Sequence, residues 1–168
     1  MKHFPLQALL SLFICLLAAL LPAHAAADDD ALIQRLFANY MEKYNHYIQH
    51  GELNREPDLY HAQVMLMSPS GSPNVVTSAV LYDQVQGFLD RLKGQGVASV
   101  NWESVSVKPL GENMAVVSNV AVRYRDDGSV HNRVGATYFV SKLADQWRIG
   151  AFAVHTPDSP PQGEVFAE

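Results

Sequence analysis

Residues 114–143 read MAVVSNVAVRYRDDGSVHNRVGATYFVSKL. Two runs rich in Val, Tyr and Ala flank Asp126-Asp127-Gly128-Ser129, and an Asp-Gly pair accepts the positive φ angles that a tight hairpin needs. The stretch therefore predicts two long antiparallel strands, Met114 to Arg125 and Val130 to Leu143. A turn at Ala144-Asp145 leads to a further strand, Gln146 to Thr156. Val97 to Leu110, rich in Val and Ser and ended by Pro109, precedes them. If the hairpin closes on Asp127-Gly128, Tyr124 faces His131 and Val122 faces Arg133. Tyr124 and Arg133 then share a face, and a one-residue slip would invert every assignment.

Upstream of this meander the periodicity changes from two to 3.6. Leu32, Ile33, Leu36, Phe37, Tyr40, Tyr44, Tyr47 and Ile48 recur at helical spacing. Gln34, Arg35, Glu42, Asn45 and Gln49 fall on the other side. Asp28-Asp29-Asp30 stands where a helix N-terminus favours a cap and negative charge, and Gly51 fits the left-handed position after the C-terminus. Leu59-Tyr60-His61, Val64 to Met67 and Val75-Val76-Thr77 predict short extended pieces around a Pro- and Gly-bearing turn. Leu81, Val85, Phe88, Leu89 and Leu92 form a second helix ended by Gly94-Gln95-Gly96. Helices grouped before an antiparallel meander imply an α+β fold, a strongly curved antiparallel sheet packed on N-terminal helices.

The first 25 residues read as a secretory signal. Met1-Lys2-His3 is a short positive region, Leu6 to Leu21 is apolar, Pro22 breaks the helix, and Ala23-His24-Ala25 suits a signal peptidase. Cleavage is expected after Ala25 or after Ala27, giving an exported, periplasmic or secreted, protein without stable membrane insertion. Cys15 is the only cysteine and is lost with the signal, so thiol catalysis, thiolate metal sites and disulfides are excluded from the mature chain. Twelve Lys and Arg stand against 17 Asp and Glu, a net charge of −5. That balance argues against a nucleic-acid or anionic-membrane partner. Residues 157–168, Pro-rich and acidic, predict a disordered tail.

The first helix, the Gly51-Glu52-Leu53 turn into Leu59-Tyr60-His61, Gly135-Ala136-Thr137-Tyr138 and Gln146-Trp147-Arg148-Ile149 together resemble a SnoaL-like domain of the nuclear transport factor 2-like superfamily. The likeness sets a domain at residues 28–156. It implies a cone-like bent sheet wrapped on helices, with a pocket at the open end. Isomerases, dehydratases, polyketide cyclases and binding or dimerising domains share that fold, so the fold chooses no function. Many such domains carry an acidic pair after the tyrosine that matches Tyr60; here Ala62 and Gln63 stand there, which leaves His61 as the ionisable group.

His61, placed near the pocket mouth by the resemblance, is the candidate general base. Tyr44, Trp102, Tyr124, Arg133 and Tyr138 are candidates to line the pocket. Arg133 in an apolar strand needs a carboxylate, with Glu103 the candidate, or an anionic ligand. His155 ends the last strand, in a capping or surface role. His46 and His50 have a metal-compatible i, i+4 spacing but sit at a solvated helix edge without a third ligand, so no metal and no cofactor is expected. Three readings follow. The leading one is an exported domain binding a small apolar or aromatic molecule without necessarily turning it over. The second is a lyase or isomerase using His61, with Tyr44 or Tyr138 and Arg133 stabilising negative charge. The third is a dimerising module, a homodimer through the outer sheet face about Met114 to Val122.

Overall fold

The computed structural model describes residues 21–157, with side chains from Asp28 onward. Helix α1 (Leu21–His50) is followed by β1 (Tyr60–Ser68), β2 (Gly71–Thr77), α2 (Ser78–Gly94), β3 (Val97–Gly111), β4 (Met114–Arg125), β5 (Val130–Leu143) and β6 (Gln146–His155). The six strands form one sheet in the order β2-β1-β6-β5-β4-β3. Both helices cover its concave face, an α+β arrangement. Residues 1–20, the greater part of the expected signal (1–25), and residues 158–168, nearly all of the expected tail (157–168), lie outside the described residues.

The sheet is mixed rather than wholly antiparallel. β1 runs parallel to β6, with Met65 opposite Ala151 and Leu66 opposite Phe152. Everything between them in sequence, β2, α2 and β3 to β5, serves as the long crossover that a parallel pair requires. Pro109 does not end β3; it pairs with Ala115 inside it. β3 is an edge strand, where a residue without an N–H is tolerated.

Helix α1 begins before the acidic triplet, so Asp28–Asp30 are not its cap. The Ala-rich residues 23–27 are strong helix formers and carry the helix through, and Pro22 sits in the first described turn, where a proline is tolerated. Asp29 is used differently. Its carboxylate accepts from Lys142 Nζ at 2.9 Å and from Trp147 Nε1 at 3.0 Å, tying α1 to the β5–β6 hairpin. Those hydrogen bonds, from Lys142 first and Trp147 second, hold the Asp29 carboxyl below the usual carboxylate range. A depressed folded-state pKa stabilises the fold above the unfolded value of about 3.9 and loses that contribution as pH falls through the folded value. Asp29→Asn is therefore expected to destabilise the protein at pH 7, by at most about 1 kcal/mol for a pair this exposed. Urea unfolding at pH 7 and pH 2.5 checks it, since the gap to wild type should close at the lower pH.

The C-terminus of α1 follows its sequence. Gly51 has φ +78° and its N–H reaches Tyr47 O at 2.8 Å. Asn45 departs from expectation: its side chain turns inward and takes both Val100 N (2.8 Å) and Val100 O (2.7 Å), docking α1 on β3. Lys43, 6 % exposed, donates to Asn54 O and Glu56 O and so holds the connection to β1. Helix α2 starts at Thr77, whose Oγ1 accepts from Val80 N.

The β4–β5 hairpin keeps Val122 opposite Arg133, but Tyr124 faces Val130, not His131. Arg125 N donates to Ser129 O and Gly128 N to Arg125 O; the turn closes over residues 126–129, leaving His131 as an extra residue in β5. The β5–β6 turn is tight, with Ala144 and Asp145 both at positive φ. Gly135 is required by a close approach: a Cβ there would lie 2.5 Å from the His155 ring. His155 crosses it to reach Thr137 Oγ1 at 3.0 Å.

Candidate functional site

Alternation along the strands decides what the helices cover. Ala115, Val117, Asn119, Ala121 and Arg123 of β4 share the concave face with Ala136, Tyr138 and Val140 of β5. Large side chains from α1 fill one end of that face. Phe37, 1 % exposed, stacks edge-on with Tyr138 (5.0 Å between ring centroids) and Trp102 (6.1 Å). The small Ala121 and Ala136 leave the neighbouring space open. The result is a cavity of about 260 Å³ between α1, α2 and the sheet.

Its walls are apolar and aromatic. Tyr40 and Tyr44 come from α1, Val85 and Phe88 from α2, Trp102 from β3, and Tyr138 and Phe152 from β5 and β6. The Trp102 indole N–H is already taken by Phe37 O at 2.9 Å, so this ring offers only its surface. Tyr40 donates to the Tyr44 hydroxyl at 2.7 Å, which leaves the Tyr44 proton available. Burial, above all, pushes the phenols of Tyr40, Tyr44, Tyr60 and Tyr138 well above their ordinary range. They stay protonated as neutral donors at any physiological pH.

One charge enters this cavity, the guanidinium of Arg123. It lies over the Phe88 ring, 5.0 Å from the centroid, and donates to Asn132 Oδ1 at 3.3 Å. Among the described residues no carboxylate pairs with it. Burial lowers its pKa, opposed by the nearby Tyr44, Tyr40 and Tyr138, but an arginine remains charged. The described lining includes no Asp, Glu, His or Cys.

The sequence candidates divide. Tyr44, Trp102 and Tyr138 line the cavity. Tyr124 and Arg133 do not. Arg133 is exposed and pairs with Glu103 on β3, bridging β3 and β5 across β4 on the face away from the helices. His61 does not reach the cavity either. Tyr60 points into the core, so its neighbour must point away. His61 Nε2 sits 2.9 Å from Ser141 Oγ, its ring passing over Gly150. The His46 and His50 rings lie 4.6 Å apart, tilted by 48°, on an exposed face of α1, and no three metal-binding side chains gather among the described residues.

Asn119 was not anticipated. It is 3 % exposed, pairs with the cavity residue Ala136, and neither amide atom has a hydrogen-bond partner among the described residues. A buried amide in that state costs about 1–3 kcal/mol. Asn119→Leu, nearly isosteric, is expected to stabilise the fold by about 1–2 kcal/mol, read as a rise of a few degrees in the thermal midpoint. A fall would mean that the amide is hydrogen-bonded in solution.

A family profile described as NTF2-like protein (DUF6841) matches residues 28–157. No curated protein matches the chain. Among solved structures, an NTF2-like protein with a cystatin-like fold from Novosphingobium aromaticivorans is 14 % identical, covering 95 % of each chain with a TM-score of 0.61. A protein of unknown function from Nostoc punctiforme is 12 % identical over 80 % of this chain and 96 % of its own, with a TM-score of 0.59. A proposed scytalone dehydratase from Novosphingobium aromaticivorans is 16 % identical over 80 % and 87 %, with a TM-score of 0.50. At these identities the likeness is one of fold.

Proposed function

The chain belongs to the NTF2-like protein family DUF6841, and from that premise we propose that it is a binding domain for a compact, largely apolar small molecule, acting outside the cytoplasm once its leader is removed. The observation that carries the binding reading is the cavity itself. Small Ala121 and Ala136 keep about 260 Å³ open among aromatic walls. Apolar concavities with a few polar groups are the usual form of small-molecule sites.

Binding without turnover is favoured by the donor set. Arg123 and the tyrosine hydroxyls can orient a ligand or stabilise negative charge on it. A lyase or isomerase also needs a base within hydrogen-bond reach of the ligand, and His61, the sequence candidate, is committed to Ser141 on the other face. Export rests on the leader pattern of residues 1–25. Asp29, which ties α1 to Lys142 and Trp147, follows both expected cleavage positions and would be kept. A homodimer through the outer face could cover only alternate residues of Met114 to Val122, because Ala115, Val117, Asn119 and Ala121 point inward.

Native mass spectrometry of the protein purified without denaturation from the host that exports it is the test. A stoichiometric small-molecule adduct, lost on denaturation, is expected, and its N-terminus should begin at Ala26 or Asp28. A protein that retains Met1 would overturn the export reading. A bare protein that also takes up nothing from an aromatic and lipid-like compound library would overturn the binding reading.

A further inference from the structure

Resting on the cavity reading above, we propose that the ligand is an aromatic monocarboxylate, with its ring among the cavity's aromatic side chains and its carboxylate held by the Arg123 guanidinium and the Tyr44 hydroxyl. The argument begins with the disposition of cations. Arg55, Arg133 and Lys142 each have a carboxylate, from Asp83, Glu103 and Asp29. Lys43 spends its ammonium on two backbone carbonyls. Arg123 alone among the described cations lines the apolar cavity, and no acid there neutralises it. A half-buried guanidinium without a counter-charge is unfavourable, and a bound anion would relieve it.

The chemistry of that anion follows from what surrounds Arg123. A single guanidinium balances one negative charge; a phosphate dianion would call for a second cation. Its planar fork matches a carboxylate's two oxygens. Tyr44 contributes a second donor: its hydroxyl accepts from Tyr40 and keeps its own proton, and it lines the same cavity as Arg123, both meeting the Phe88 ring, which lies 6.5 Å from the Tyr44 ring and 5.0 Å from the guanidinium. The guanidinium donates to the exposed Asn132, and the exposed Gln84 lines the same cavity. The acid group is thus placed at the mouth and the apolar part inside. There Trp102 and Tyr40 rings lie 5.5 Å apart, and Tyr138 and Phe152 5.4 Å apart. Faces and edges presented together in this way suit a flat ring.

The test uses two probes of nearly the same shape, 2-naphthoate and its neutral analogue 2-naphthamide, which replaces one carboxylate oxygen with an NH2 group, titrated calorimetrically into the wild-type protein, R123Q, R123K and Y44F. Wild type is expected to bind 2-naphthoate at least about tenfold tighter than the amide, the usual scale for a charge-assisted hydrogen bond. R123Q should abolish that preference while leaving 2-naphthamide within about twofold of wild type, a readout that mere loss of packing would not give. R123K, which retains charge but not the fork, should fall between them, and it decides the matter should circular dichroism show R123Q unfolded. Y44F should weaken 2-naphthoate selectively. Equal binding of the two probes by wild type, or a preference that survives R123Q and R123K, would overturn the carboxylate while the cavity reading stands. If neither probe binds, the aromatic carboxylate falls, and the library test above decides the cavity reading separately.

Discussion

Phe37→Ala is expected to destabilise the domain by about 3–5 kcal/mol, the range for deleting a fully buried aromatic ring. Marginal stability of about 5–15 kcal/mol means that such a loss consumes a large part of the whole. Phe37 is 1 % exposed and its ring meets those of Tyr138, Trp102 and Tyr40 at centroid distances of 5.0, 6.1 and 6.4 Å. It therefore props up the same rings that wall the cavity, and the space left by alanine would adjoin an existing void, where neighbours cannot collapse from one side alone. The hydrogen bond from Trp102 is made to the Phe37 backbone carbonyl, so the substitution removes the ring without removing that bond. Urea unfolding monitored by tryptophan fluorescence measures the loss. Phe37→Leu, closer in volume, should cost less than half as much. A loss below about 1 kcal/mol for alanine would show that the ring is not part of the packed core.

The fold was legible where local chemistry leaves one choice. Asp127-Gly128 marked the β4–β5 hairpin because few residues accept a positive φ, and Gly128 has φ +79°. The 3.6-residue spacing from Leu32 to Ile48 marked α1 because a helix on a sheet must bury one stripe. What local chemistry could not give was the partner of β1. Its parallel pairing with β6 joins segments about ninety residues apart, and no turn signal connects them. The start of α1 was hidden for another reason: acids next to alanines satisfy the pattern of a cap and of a helix interior equally well.

The candidate site shows the limit of periodicity. Strand alternation tells which residues share a face, not which face the helices cover. Val122 opposite Arg133 was read correctly, yet both lie on the side away from the helices. A usable signal was present in β5: Tyr138 and Arg133 are an odd number of residues apart in one strand, so they cannot both point into the cavity. Tyr138 stands opposite Val117 and shares its side with Ala121 and Arg123. Following Tyr138, an aromatic beside the small Ala136, would have selected Arg123 over Arg133. The same parity argument sends His61 outward once Tyr60 is assigned to the core. Asn119 carried no sequence signal, since an asparagine in a strand is more often on its wet side.

Ala121→Phe is expected to abolish ligand binding, weakening both naphthalene probes by about a hundredfold or more, some 2.7 kcal/mol, without unfolding the protein. Ala121 stands between Trp102 on β3 and Val134 on β5, two residues before Arg123, and faces the open space. A benzyl side chain there would occupy much of the 260 Å³ cavity. It would also supply contact atoms to walls that now have none on that side, so thermal stability should hold or rise where overpacking in a filled core would lower it. The combination separates the two ways of losing binding. R123Q removes affinity for the acid and spares the amide, because it deletes a charge at the mouth. Ala121→Phe removes both, because it deletes the room. A variant that keeps its fold and binds both probes as wild type does would place binding elsewhere on the molecule, and the cavity would then be a packing defect rather than a site.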